Sequence, residues 1–153
     1  MPNYTIPPFE WDSERNLYTI RHRLTSGQFC QMWFMRDDGR NRYAYAVAFA
    51  VADKKKHLAG WFDGDSRDRL SYRMTGRSGV EALYWARDTL LLFEKTVIPE
   101  DLLRVRGKQE LKIFVFAEDG KRWRLYQKAL QKYGYKMAQD QNGKAMVKNF
   151  SRK

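Results

Sequence analysis

At Gly79 the hydrophobic period of this chain changes, and that change restricts it to folds that join a sheet to helices. Before Gly79 the apolar residues alternate. In Tyr43 to Ala52, Tyr43, Tyr45, Val47, Phe49 and Val51 face one way and Ala44, Ala46, Ala48, Ala50 and Ala52 the other. The small face of such a strand admits the close approach of a helix or a ligand. From Gly79 the spacing becomes helical, with Leu83, Ala86, Leu90, Phe93 and Val97 recurring at three and four until Pro99 prevents continuation.

The remaining segments fit one compact α+β domain over residues 1–153, a mixed sheet whose first half is an antiparallel meander. Met1 to Trp11 contains Pro2, Pro7 and Pro8, which remove backbone donors, so an extended arm is expected that packs through Tyr4, Phe9 and Trp11. Leu17 to Leu24 reads as a strand on Tyr18, Ile20, His22 and Leu24, or as a helix on Leu17, Ile20 and Leu24; the strand is preferred. Phe29 to Arg36 is a strand, Asp37-Asp38-Gly39-Arg40 a turn, and Asp53-Lys54-Lys55-Lys56 a charged connection to Leu58 to Phe62. Leu70 to Met74 is a further short strand. Leu111 to Ala117 is apolar on both faces and belongs in the middle of the sheet. A helix from about Gly120 to Tyr133 packs Trp123, Tyr126, Leu130 and Tyr133 inward, carries Lys121, Arg124, Lys128 and Lys132 on another face, and ends at Gly134. Asn142-Gly143 then centres a C-terminal hairpin.

Composition narrows the chemistry. No apolar run approaches the ~20 residues that cross a bilayer, and the opening Met1-Pro2-Asn3-Tyr4 lacks the basic-then-apolar order of a secretory leader, so a cytoplasmic protein is expected. Cys30 has no second cysteine to bond, and His22 and His57 alone offer no metal-ligand spacing, so no metal is expected. The net charge is +11, and residues 104–153 hold 14 Lys or Arg against 4 Asp or Glu. That field suits an acidic partner, whether a phosphorylated cofactor, an acidic protein or nucleic acid, or else it is a solvated basic face.

Arg73-Met74-Thr75-Gly76-Arg77-Ser78-Gly79 lies between a strand-like run and the long helix. Backbone N–H groups at a helix start lack partners, Gly76 and Gly79 let a ligand approach the chain closely, and Arg73 and Arg77 add charge. A phosphate-bearing ligand is the functional reading of this loop. A turn with a helix cap is the plain one.

Strand, glycine loop, helix, strand, helix and hairpin, preceded by a meander, is an order that resembles the GNAT N-acetyltransferase superfamily over roughly residues 58–150. Two motifs carry the resemblance. The family's pyrophosphate loop runs Gln or Arg, two residues, Gly, one residue, Gly or Ala, and here Arg73, Gly76 and Ser78 take those positions, with Gly79 following. The second is an acidic or amide pair at a strand end with a helical Tyr seven residues on, as Glu118-Asp119 and Tyr126. Tyr126 stands eight residues before Gly134-Tyr135 where many relatives have four, and four residues advance a helix by about 400°, close to one turn. Counted strictly from Gly134-Tyr135, Leu130 takes the Tyr position instead.

The resemblance implies acyl transfer, acetyl above all, from acyl-CoA to an amine. Ser71, Tyr72, Arg73, Gly76, Arg77, Ser78, Gly79 and Asp119 would hold the cofactor, with pantetheine along Leu70 to Met74 in a gap beside Leu111 to Ala117. Tyr126 would protonate the leaving thiolate. Asp63, Asp65 and Glu118 are candidate bases, with Asp68 and His57 behind them and a water-mediated route also open. A second expectation comes from a different class: a weakly active or inactive GNAT-like protein that docks on an acidic host protein or nucleic acid through Lys121, Arg124, Lys128 and Lys132. Small basic proteins of this sort resemble accessory proteins of bacteriophages. An acyltransferase whose acceptor is nucleic acid would join both features.

Overall fold

The computed structural model describes residues 6–38, 43–52, 77–104, 110–116, 124, 127–140 and 143–151. The described strands form one seven-stranded sheet. They are β1 (Glu10–Asp12), β2 (Leu17–Arg23), β3 (Phe29–Asp37), β4 (Tyr43–Ala52), β5 (Leu111–Phe116), β6 (Lys136–Asp140) and β7 (Gly143–Phe150), in the spatial order β1-β2-β3-β4-β5-β7-β6. Every described pairing is antiparallel except that of β4 with β5. A parallel pair needs a crossover, and helices α1 (Arg77–Thr96) and α2 (Ile98–Arg104) lie in the connection. The class is therefore mixed α+β.

Alternation places the large residues of β4 on the helix side. Tyr45 meets Phe93 of α1 edge to face at 4.9 Å between ring centroids, and Phe34 of β3 stacks on the same ring at 4.0 Å. Phe9 joins both edge on, so the proline-rich arm is anchored in the core. Burying aromatics of this size contributes about 1.5–3 kcal/mol each from area, with up to about 1.5 kcal/mol more per favourable ring pair. Trp85, Leu90, Ile113 and Met146 complete that layer. The alanine face of β4 is not bare either, since Ala50 is fully buried and Gln31 beside it nearly so.

Several boundaries differ from the sequence reading. The arm is not wholly irregular: Glu10–Asp12 pairs with Leu17–Thr19 as β1, beyond the last proline. Helix α1 begins at Arg77 rather than Gly79. α1 stops at Thr96, ahead of Pro99 as expected, but Pro99 also sits in the first turn of α2, where its missing N–H would have no partner in any case, with Glu100 and Asp101 beside it against the positive end. The helix before Gly134 is described at 124 and 127–130 and tightens into a 3₁₀ turn, Gln131–Tyr133, that Gly134 closes at φ 93°, as its sequence position led one to expect. The C-terminal hairpin closes on Asp140↔Gly143, one residue earlier than an Asn142-Gly143 centre requires. That register sets Met137 against Met146 and Ala138 against Ala145, and side-chain matching outweighs local turn preference. The expected strands Leu58 to Phe62 and Leu70 to Met74 lie outside the described residues.

Candidate functional site

β5 is flanked by β4 over residues 111–115 and by β7 over residues 111–116. The gap expected between 70–74 and 111–117 is therefore not how the sheet is built: the neighbour that precedes the glycine loop is β4. The physical reason is the parallel crossover, which puts the strand before α1 next to the strand after it. The described β4–β5 register runs from Tyr43↔Leu111 to Val47↔Val115, and β4 continues for residues 48–52 past its last pair.

Beside the end of the described pairing lies a narrow apolar slot of about 30 Å³. Val47 and Phe49 of β4, Val115 and Phe116 of β5, and Leu83, Ala86 and Leu90 of α1 line it, and Leu130 closes its far side. The helical repeat of α1 explains this lining, because 83, 86 and 90 share one face. Among the described lining residues only Arg87 carries charge. A second hollow of about 320 Å³ lies between α1 and the helical stretch at 127–130, sharing Leu83, Arg87 and Ala129 and adding Tyr84, Lys128 and Lys132. Tyr84 is 44% exposed, and the Arg87 guanidinium lies 4.7 Å from its ring centre while Nε donates to Asp88 at 2.9 Å. An apolar slot thus runs out into a cationic groove with an exposed aromatic ring.

The first turn of α1 contains Arg77, Ser78 and Gly79 and has no acidic residue. Glu81, the nearest carboxylate downstream, is committed elsewhere: it accepts the Thr25 N–H at 3.0 Å and the Thr25 hydroxyl, and lies 3.8 Å from His22 Nε2. This clamp ties the turn between β2 and β3 to the start of α1. His22 stacks on Trp85, and burial lowers its pKa while Glu81 partly restores it. Cys30 is buried beside it, which pushes its thiol far up and makes it unreactive.

Two other polar clusters bracket the slot. Near the start of β4, Arg36 lies 4.2 Å over the Trp11 ring, donates from Nε to Tyr45 Oη at 3.0 Å, and stands 3.8 Å from Asp101 of α2. Tyr45 donates to the other oxygen of Asp101, whose residue is 1% exposed. Burial, then Asp101, raises the Tyr45 pKa, so it stays a neutral donor. Burial opposes the charge on Arg36, but Tyr45 and Asp101 outweigh it and its pKa rises. At the other flank Glu94 of α1 accepts Tyr135 Oη at 2.9 Å and Lys148 Nζ at 2.6 Å, which fixes the end of the 127–134 segment against α1 and β7. Tyr135 is raised by burial and by Glu94.

Of the candidate residues, Arg77, Ser78 and Gly79 fall in the first turn of α1, and Arg124, Lys128 and Lys132 are exposed, the last two in the groove. Ser71, Tyr72, Arg73, Gly76, Asp63, Asp65, Glu118, Asp119, Lys121 and Tyr126, with His57 and Asp68, lie outside the described residues. Leu130, the alternative to Tyr126 by strict register, is buried and carries no proton to give. The slot lining and the Tyr84–Arg87 pair escaped the sequence reading. Their signal was the i, i+3 spacing of an aromatic and a cation on the polar side of α1. Among the described residues no cluster of His, Cys, Asp and Glu could hold a metal, and no helix is long and apolar enough to cross a membrane. No family model, curated protein or solved structure matches the chain.

Proposed function

We propose that this chain is an acyl-CoA-dependent N-acyltransferase of the GNAT type, acting from acetyl-CoA or a similar donor on an amine. The observation that carries the reading is the apolar slot beside the last described β4–β5 pair, which shares Leu83, Arg87 and Ala129 with a cationic groove along α1. A CoA thioester has the matching parts: a thin pantetheine arm for the slot, phosphates for cations, and a flat base for an aromatic ring. Meander, crossover helix, strand, helical segment and hairpin also follow in the order the resemblance implies.

In this reading β4 is the cofactor strand. The amide groups at Arg77–Gly79, at the positive end of a helix lacking acid in its first turn, receive the pyrophosphate. Arg87, Lys128 and Lys132 take the outer phosphate, and Tyr84 stacks on the base. The thioester lies at the 48–52 stretch of β4, whose backbone N–H groups on the side of β5 are aimed at the developing oxyanion. The amine nitrogen attacks the carbonyl carbon, the C–S bond breaks, and Tyr126 protonates the thiolate. The amine loses its proton to water or to one of Asp63, Asp65 and Glu118. Positioning supplies much of the rate.

Titration calorimetry with acetyl-CoA tests the slot. Wild type is expected to bind and Gly76→Asp to lose at least tenfold in affinity; no wild-type binding removes the reading. Tyr126→Phe should lower transfer while leaving CoA affinity nearly intact, and unchanged transfer discards Tyr126 as the acid.

A second reading, docking on an acidic host protein or nucleic acid, is favoured by the exposure of Arg124, Lys128, Lys132, Lys136 and Lys144 in the C-terminal third. Charge reversal at Arg124 and Lys128 should then abolish polyanion binding and flatten its salt dependence. Retained binding dismisses that face.

A further inference from the structure

We propose that the outer edge of β6 pairs with the same edge of a second copy of this chain, so that two seven-stranded sheets join across a two-fold axis. The inference is independent of the acyl-transfer reading. β6 ends the sheet order and pairs only with β7 among the described residues. Lys136, Met137, Ala138 and Gln139 are all exposed, and Met137, at 59%, is a large apolar side chain turned to solvent. An exposed strand edge is a template for another strand unless something blocks it.

The register of the hairpin decides which backbone groups are on offer. β6 and β7 close on Asp140↔Gly143 around a two-residue connection, and such a closing pair exchanges its hydrogen bonds, with the pattern alternating back along the strands. Residues 136, 138 and 140 therefore direct their N–H and C=O groups to β7, whereas Met137 and Gln139 direct theirs outward. An antiparallel pairing centred on Ala138 brings Met137 opposite Gln139 of the partner subunit, and the two exchange both bonds on either side of the axis.

The same register makes the charges complementary. Lys136 falls opposite Asp140 of the partner subunit, twice by symmetry, at non-hydrogen-bonded register positions. Ala138 meets its own copy, and its small side chain permits that approach. Centring on Met137 instead keeps the hydrogen bonds in phase but sets Lys136 against Ala138 and parts the charges. A lysine on an edge strand normally repels a neighbour; an acidic residue four positions on turns that block into a requirement for one partner and one register. The pairing is isologous, as a two-fold dimer requires. A five-residue contact is small beside the ~1,000 Å² of a stable interface, so the dimer is reversible and concentration-dependent.

Sedimentation equilibrium over a concentration series tests this. Wild type is expected to move from monomer to dimer mass, while Lys136→Glu and Asp140→Lys each weaken association at least tenfold, because like charges then face each other. Mixing the two single variants should restore dimers, since each then supplies what the other lacks, and Lys136→Glu with Asp140→Lys in one chain should restore them as well. Gln139→Pro should abolish pairing while circular dichroism stays native, because the N–H it removes points outward. A wild type that stays monomeric throughout, a Lys136→Glu variant that dimerises like wild type, or a mixture of the single variants that fails to associate would overturn the proposal.

Discussion

The two halves of β4 have the same alternation of large residues with alanine and different fates. From Tyr43 to Val47 the strand is bonded to β5, and its large side chains are sealed under α2 by Arg36, Asp101 and a ring of aromatics. From 48 to 52 it runs past its described β5 partners, and the space beside Val47 and Phe49 stays open as a slot. The first half spends its polar groups on holding the crossover in place. The second leaves space and an apolar wall for something else. A rigid, over-determined end next to an unfilled one is what a binding site on a sheet requires.

The sharpest way to break this contrast is to unseal the closed end. Asp101→Ala leaves the Arg36 guanidinium and the Tyr45 hydroxyl buried without their acceptor, and should cost about 3–5 kcal/mol in urea unfolding. A loss below about 1 kcal/mol would mean that the cluster is peripheral. Phe93→Ala removes the ring on which Phe34, Tyr45 and Phe9 converge, with an expected cost of about 3–5 kcal/mol. Filling the open end should behave differently. Ala86→Phe occupies the slot, and acetyl-CoA affinity should fall at least tenfold while stability changes by no more than about 1–3 kcal/mol from overpacking. Unchanged affinity would place the donor elsewhere.

A smaller effect concerns the clamp at the start of α1. His22 is held below its ordinary pKa by burial, so the unfolded chain binds its proton more readily than the folded one. Stability should be full above about pH 6.5 and decline as the pH drops from there toward the folded pKa. His22→Gln should flatten that segment of the pH–stability curve, and an unchanged slope would assign the dependence to other groups. Least affected of all should be Lys132→Ala, which removes an exposed groove cation and is expected to weaken CoA binding by about threefold with no change in stability.

How much of this was readable beforehand differs between elements for physical reasons. The alternation of Tyr43 to Ala52, the dense run at 111–116 and the stop at Gly134 are local signals that packing did not override, and the structure keeps them. The stop before Pro99 was legible, but the short helix that opens there was not, because the same residue ends one helix and starts the next with only the turn at Val97 between them. The hairpin centre slipped by one residue because cross-strand pairs, invisible in a single segment, set the register. The neighbour of β5 was misassigned because proximity in sequence favoured 70–74, while the sheet gives that place to β4. The slot draws on β3, β4, β5, α1 and the 127–130 stretch, and no window of sequence holds that combination. Of the site, the glycine loop and the basic helix face were legible as motifs. The wall between them was not.

The proposed function puts an acyl-CoA thioester in the slot beside the last described β4–β5 pair. A crystal structure of the protein soaked with acetyl-CoA tests it most directly. The sulfur should lie beside residues 48–52 of β4, the pantetheine arm against Phe49 and Leu83, and the pyrophosphate at the first turn of α1. Side chains of the protein filling that slot with the ligand bound elsewhere, or no ligand at saturating concentration, would contradict it.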